Sequence, residues 1–196
     1  MRRITPVLAA VAIAAIQAAC SGTGSEPLAV PTAPAAARGG VAGGNLGPRR
    51  IEILDACDPT SFNAAIGAGT CSRPGGMSFD TFIAQLTKKG SVGAWRFAPA
   101  NNVTGREGQV LLAINRGGET HTFTEVDNFG GGIVASLNQA SGNPTEAPEC
   151  AQLTAGDFVA AGTTFTSDVA SAADIGTEKY QCCIHPWMRA VVTVTN

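Results

Sequence analysis

Histidine is scarce in this chain, which has only His121 and His185 among its 196 residues. That scarcity excludes multinuclear centres built from clusters of imidazoles. A Cys-x-x-Cys-His haem-attachment run is also absent. Charged residues make up only 14% of the chain, and the formal net charge is −2. Nucleic acid is therefore set aside as a partner, because no basic footprint exists to hold a phosphate backbone. Aromatic residues amount to 6%, with a single tyrosine, and there are three methionines, one of them the initiator. The uncharged apolar stretch from Val7 to Ile16 is too short to span a bilayer comfortably as a helix.

What is present begins with a signal-like N-terminus. Met1-Arg2-Arg3 is a positive start, Val7 to Ile16 an apolar stretch, and the small residues Ala18 and Ala19 precede Cys20. This order reads as an export signal over residues 1–20. Ala18-Ala19-Cys20 resembles a bacterial lipobox, although Gln17 stands where an aliphatic residue is usual. The resemblance implies lipidation of Cys20 and a membrane tether; cleavage and release is the other outcome. Residues 21–50 are mostly Ser, Gly, Pro and Ala, too poor in bulky apolar side chains to offset the entropy of ordering, and read as a tether.

From Ile51 the composition changes. Asp58-Pro59 reads as an N-cap with proline at the first helical position, and Phe62, Ala65 and Ile66 fall on one face. Ser78 is placed to cap a second helix with Phe79, Phe82, Ile83 and Leu86 at i, i+3, i+4 and i+7; Lys88, Lys89 and Gly90 end it. Residues 51–90 are thus expected as a small, partly helical extension that packs on the domain C-terminal to it, being too short for a core of its own. Over residues 91–196 the pattern turns to short strands: Ala94–Phe97 ended by Pro99, Gln109–Asn115 closed by Gly117-Gly118, His121–Val126, Tyr180–Cys182 and Ala190–Thr195. Many short strands with Gly-rich connections predict an all-β fold, a Greek-key β-sandwich.

The most informative segment is Tyr180-Gln181-Cys182-Cys183-Ile184-His185-Pro186-Trp187-Met188. It gathers a thiol, an imidazole and a thioether on one loop between two predicted strands. Two histidines and a cysteine in a trigonal array, with a weak axial methionine, form the donor set of a type 1 copper centre. The second imidazole must come from elsewhere, and His121 is the only other histidine.

With these residues in view, the region 91–196 resembles a cupredoxin. Cys182-x-x-His185-x-x-Met188 is similar to the short ligand loop of the amicyanin and plastocyanin type, and Asn115 before His121 resembles that family's first-histidine region. Trp95-Arg96-Phe97-Ala98-Pro99, with Val103 and Gly108, resembles its first strands. The resemblance implies one copper ion on His121, Cys182, His185 and Met188, with Asn115 stiffening the site by hydrogen bonds. It implies a periplasmic electron-transfer protein, monomeric, exchanging electrons with donor and acceptor proteins. It also implies that His185 is the ligand at the solvent edge, with Pro186, Trp187 and Gly130–Gly132 as an apolar docking patch; Trp187 can equally be a packing residue. Residues 51–90 match nothing in this pattern.

The family spacing selects Cys182 over its neighbour, and consecutive residues of an extended strand point to opposite faces. Cys57, Cys71, Cys150 and Cys183 then remain for two disulfides in an oxidising compartment. Four cysteines allow three pairings, which the sequence does not decide; Cys57–Cys71 and Cys150–Cys183 are favoured.

Other readings fit less well. A zinc site on Cys182, Cys183 and both histidines would need adjacent thiols in tetrahedral geometry. A binuclear copper centre needs its two cysteines apart. A copper oxidase needs further histidines, and a Cys182–His185 nucleophile pair lacks an orienting third group. A copper carrier or store, or a metal-free structural domain, is the remaining alternative; enzymatic activity is not expected.

Overall fold

Hydrophobic alternation, with one face inward, decides where most of this chain goes. The structure, a computed structural model, describes residues 46–167 and 170–196. The export signal, the lipidation of Cys20 and most of the tether therefore lie outside the described residues. In chain order the elements are β1 (Arg49–Leu54), α1 (Pro59–Ala65), α2 (Phe79–Lys89), β2 (Arg96–Ala98), β3 (Val103–Arg106), β4 (Leu111–Asn115), β5 (His121–Thr122) and β6 (Thr124–Glu125). They continue with α3 (Ala135–Ala140), β7 (Phe158–Val159), β8 (Thr164–Thr166), β9 (Gly176–Gln181) and β10 (Arg189–Thr195).

The strands form two four-stranded sheets, ordered β2-β1-β4-β8 and β3-β10-β9-β6, with β5 and β7 as a separate pair. Their inward faces share one core. Ile51, Ile53, Phe97, Leu111 and Ala113 come from the first sheet, and Val103, Tyr180, Ala190, Val192 and Val194 from the second. Along β10 the buried positions alternate, Ala190, Val192 and Val194 facing in, as half-buried strands require. The fold is the all-β sandwich expected of the strand pattern.

Residues 51–90 are more closely built in than a packed-on extension. β1 lies inside the first sheet, antiparallel to β2 and parallel to β4, with Ile53 opposite Asn115. Residues 46 onward belong to one compact unit without a break near residue 91. The alternation of Ile51 and Ile53 is short, and its parallel partner lies some sixty residues on in the sequence; local pattern alone does not reveal such a pairing.

Both helices start and stop where the caps place them. Asp58 accepts from Ser61 N–H at 2.9 Å with Pro59 in the first turn, and Ser78 accepts from Thr81 N–H at 3.3 Å. Gly90 closes α2 in the left-handed region (φ 67°) and donates to Leu86 O. Phe62 is buried against Phe79, Phe82 and Trp95, ring centroids 5.3–5.7 Å away. The expected apolar faces are only partly covered: Ala65 and Ile66, at and just past the end of α1, are exposed, and Ile83 is 40% exposed.

The two disulfides are Cys57–Cys71 and Cys150–Cys183, and Cys182 is the free thiol among the described residues. Cys57–Cys71 spans 14 residues and ties the end of β1 to the loop after α1. Closing a loop of that size is worth about 3 kcal/mol through the unfolded chain. The double variant Cys57→Ser/Cys71→Ser should therefore lose stability of that order, read as a lower denaturant midpoint with an unchanged optical signature of any metal bound at Cys182.

Candidate metal centre

The site begins with β4, whose last inward residue is the buried amide Asn115. Its Nδ2 donates to Glu119 O and to Val159 O, both at 2.8 Å, and its Oδ1 accepts from Gly117 N–H at 2.9 Å. One side chain thus closes the 116–120 turn onto β7. That strand pairs with β5, setting His121 opposite Val159.

Asp55, just beyond β1, holds the turn from the other side. Its Oδ1 accepts from Cys57 N–H at 3.2 Å and Gly118 N–H at 2.9 Å, and its Oδ2 from Glu119 N–H at 3.0 Å. The same Oδ2 lies 2.9 Å from His121 Nε2. Glycine at 117 and 118 is what permits this approach: an added Cβ at Gly117 would overlap Asp55 Oδ2, and one at Gly118 would strike Cys57 Sγ. Burial pushes the Asp55 carboxyl up, but the bonds from His121, Glu119 and Gly118 bring it down to about 2. Its carboxylate is therefore ionised, and the Nε2–H of His121 donates to it. Nδ1 is left to face inward.

Inward from His121 lies Cys182, at the end of β9. His121 Nδ1 and His185 Nδ1 are each 3.8 Å from Cys182 Sγ, and the three donor atoms lie within 4.8 Å of one another. A metal with bonds of about 2.3 Å to sulfur and about 2.0 Å to nitrogen, in trigonal array, would separate S and N by about 3.7 Å. The donor set therefore fits one ion. Thr122 N–H and His185 N–H point at the sulfur at 3.4 and 3.5 Å. Burial raises the Cys182 thiol, yet the two imidazoles beside it outweigh that and hold it well below the ordinary value. Burial lowers His121, while Asp55 and the Cys182 sulfur lift it to about 9.

The loop after Cys182 is closed by its own backbone. Cys182 N–H donates to Met188 O at 3.0 Å and Met188 N–H to His185 O at 2.9 Å. Met188 buries its side chain in the core beneath. Cys183 points the other way into its bridge with Cys150, and its N–H donates to Thr122 Oγ1 at 2.7 Å. This leaves one thiol at the site, so no zinc set on both adjacent cysteines exists.

His185 differs from the expectation of a solvent-edge ligand. It is 4% exposed, Pro186 is buried, Gly131 and Gly132 are buried, and Trp187 is half-buried. The patch expected at Pro186, Trp187 and the glycines is thus mostly buried, with Gly130 and Trp187 partly exposed. Trp187 packs edge-on to His185 (5.4 Å) and against Phe82 of α2 (6.0 Å). The helices of residues 51–90 stand over this face, with Phe82 of α2 against Trp187. His185 Nε2 lies 3.7 Å from Glu119 Oε2, which also accepts from the Trp95 indole N–H. Burial raises the Glu119 carboxyl above its usual range, against the opposing pull of His185 and the Trp95 bond.

Asp55 and Glu119 are the two site residues that the sequence does not disclose. Nothing in their spacing marks them among 15 acidic residues; the Gly117-Gly118 pair is the one visible sign that something approaches closely there.

No family model matches the chain, and no curated protein does. Among solved structures it is similar to a purple cupredoxin from Nitrosopumilus maritimus, at 18% identity over 75% of this chain and 99% of that one, TM-score 0.41. It is also similar to oxidised plastocyanin from Dryopteris crassirhizoma (14% identity, 74% and 99% covered, TM-score 0.36). A Cu(I) amicyanin mutant matches at 17% identity over 51% and 73%, TM-score 0.34.

Asp55→Asn sets an amide NH2 against one of the N–H donors that the carboxylate receives. Leaving buried donors unmet costs about 1–3 kcal/mol, and loss of such an orienting partner weakens metal binding about 10–100-fold. Both effects are expected, the first from chemical denaturation of the metal-free protein and the second from competitive metal titration.

Proposed function

We propose that this chain is a type 1 copper protein that binds one copper ion and passes single electrons between redox partner proteins. The observation that carries this reading is the convergence of the free thiol Cys182 with the chain's two histidines, each ring presenting Nδ1 at 3.8 Å from one sulfur. In this reading His121, His185 and Cys182 would hold the ion, and Met188, buried at the end of the same loop, would add a weaker thioether donor. The ion, when bound, supplies a one-electron Cu(II)/Cu(I) couple in which soft sulfur suits the reduced state and imidazole the oxidised one.

The protein's part is to hold the donors still. Asp55 keeps His121 turned so that Nδ1 faces Cys182, and Asn115 fixes the turn that carries it. The N–H groups of Thr122 and His185 withdraw charge from the thiolate, a tuning that acts on the reduction potential. The Cys150–Cys183 bridge anchors the strand end next to the ligand cysteine. Donors packed this firmly change little between oxidation states, which suits fast electron exchange.

Enzymatic activity is not proposed, since both histidines are used by the one site. Export to the periplasm, with or without a lipid at Cys20, is proposed from the N-terminal sequence and accords with two disulfides. A copper carrier is the alternative; it would release its ion to a competing chelator readily, whereas a closed, buried donor set exchanges slowly.

The deciding test is an optical spectrum after Cu(II) loading and removal of excess. An intense band at about 600 nm, bleached by ascorbate, is expected from thiolate-to-copper charge transfer. Cys182→Ser should abolish it, while Cys150→Ser/Cys183→Ser should keep it and lower stability. A colourless loaded protein, or colour that survives Cys182→Ser, would refute the reading.

Proton release gives a second check. Below pH of about 9 the metal-free His121 carries two ring protons, and a metal at Nδ1 must displace one. Copper uptake at pH 7–8 should release that proton, and the release should fall away as pH rises through 9, measured by uptake in weakly buffered dye solution.

A further inference from the structure

Burying His185 leaves a feature that neither the metal site nor the strand pattern accounts for. Between α1, α2 and the start of α3 lies a cleft of about 410 Å³ whose floor includes His185 and Glu119. Its walls are mainly apolar: Phe79, Ile83 and the buried edges of Phe62 and Phe82 come from α1 and α2, and Val134 and Leu137 from the start of α3. Ile66 and Ile83, 57% and 40% exposed, stand in its lining toward solvent. That volume lies in the range of small-molecule sites, which pair apolar walls with a few placed polar groups.

Glu119 is the placed polar group. Its side chain is 7% exposed, and Oε2 is occupied by the Trp95 indole and faces His185. The other oxygen, Oε1, accepts no hydrogen bond from the described residues, yet it is not sealed from solvent. A nearly buried carboxyl thus lines an aromatic cleft with one acceptor left over.

We infer that this cleft binds a neutral aromatic hydroxyl compound, of the phenol or naphthol class, with its ring between Phe79, Ile66 and Ile83 and its hydroxyl on Glu119. The partly exposed Phe79 ring, flanked by Ile66 and Ile83, favours a flat aromatic guest by edge or face contact. The leftover oxygen calls for a hydrogen-bonding head, because a guest without one would bury that oxygen unmet. The choice of a neutral head over an ammonium rests on the copper reading: a cation would lie beside His185 and the charge of the ion it holds.

The test is titration of 2-naphthol into the full-length mature protein, copper-free and copper-loaded, followed by calorimetry and by amide shifts. Saturable binding with shifts at Thr70, Ser136 and Leu137 is expected in both forms. The methyl ether, 2-methoxynaphthalene, which cannot donate, should bind roughly tenfold or more weakly. Ile83→Trp, which fills the cleft from its solvent side, should weaken 2-naphthol by a similar factor without changing the melting midpoint. Glu119→Gln should remove the preference for the hydroxyl over the ether. Absence of binding, shifts elsewhere, or equal affinity in Ile83→Trp would overturn the inference. Because the copper-free protein is titrated too, a protein that binds 2-naphthol but never turns blue would sink the copper reading alone, and a blue protein that ignores 2-naphthol would sink only the cleft.

Discussion

A single buried carboxylate, Asp55, is what the geometry around Cys182 depends on. It gathers the N–H groups of Cys57, Gly118 and Glu119 together with the His121 ring nitrogen. Four donors converging on two oxygens make a charge that is cheap to bury only while all are present. The clamp joins the end of β1 to the turn after β4, so the parallel register of those strands and the orientation of an imidazole are one constraint. Gly117 and Gly118 belong to the same constraint, since any side chain there would push the carboxylate away.

The frame around this clamp is doubled. Asn115 ties the turn from the sheet side, and the Cys57–Cys71 bridge ties Asp55's own segment to the helical region. On the opposite strand, Cys182 and Cys183 divide their work: one sulfur faces the histidines and the next is locked to Cys150. The pair lies just past the end of β9, where the chain turns into the loop and the two sulfurs face different neighbours.

Much of this was legible in the sequence, and for definite reasons. The sandwich follows from short alternating strands, and the two helices from Asp58-Pro59, Ser78 and Gly90, whose capping roles are local chemistry. The gathering of His121, Cys182 and His185 was legible because the loop spacing is tight and the histidines are only two. What was not legible is long-range. β1 reads as the start of an extension until its parallel pairing with β4 is seen, and Asp55 and Glu119 look like any surface acid until the fold buries them. The covering of His185 escapes the sequence for the same reason: a helix such as α2 shows which face is apolar but not what it will roof over.

The pairing of β10 with both β3 and β9 carries a consequence for when the site comes into being. The loop from Cys182 to Met188 is closed by β9 on one side and β10 on the other, and β10 follows the loop in the chain. Until Arg189–Thr195 has emerged and docked, His185 and Cys182 sit on an open chain with no partner across from them. The donor set is thus a property of the finished fold rather than of any growing segment. A metal ion would therefore meet a site assembled by long-range strand pairing rather than one formed on a local segment.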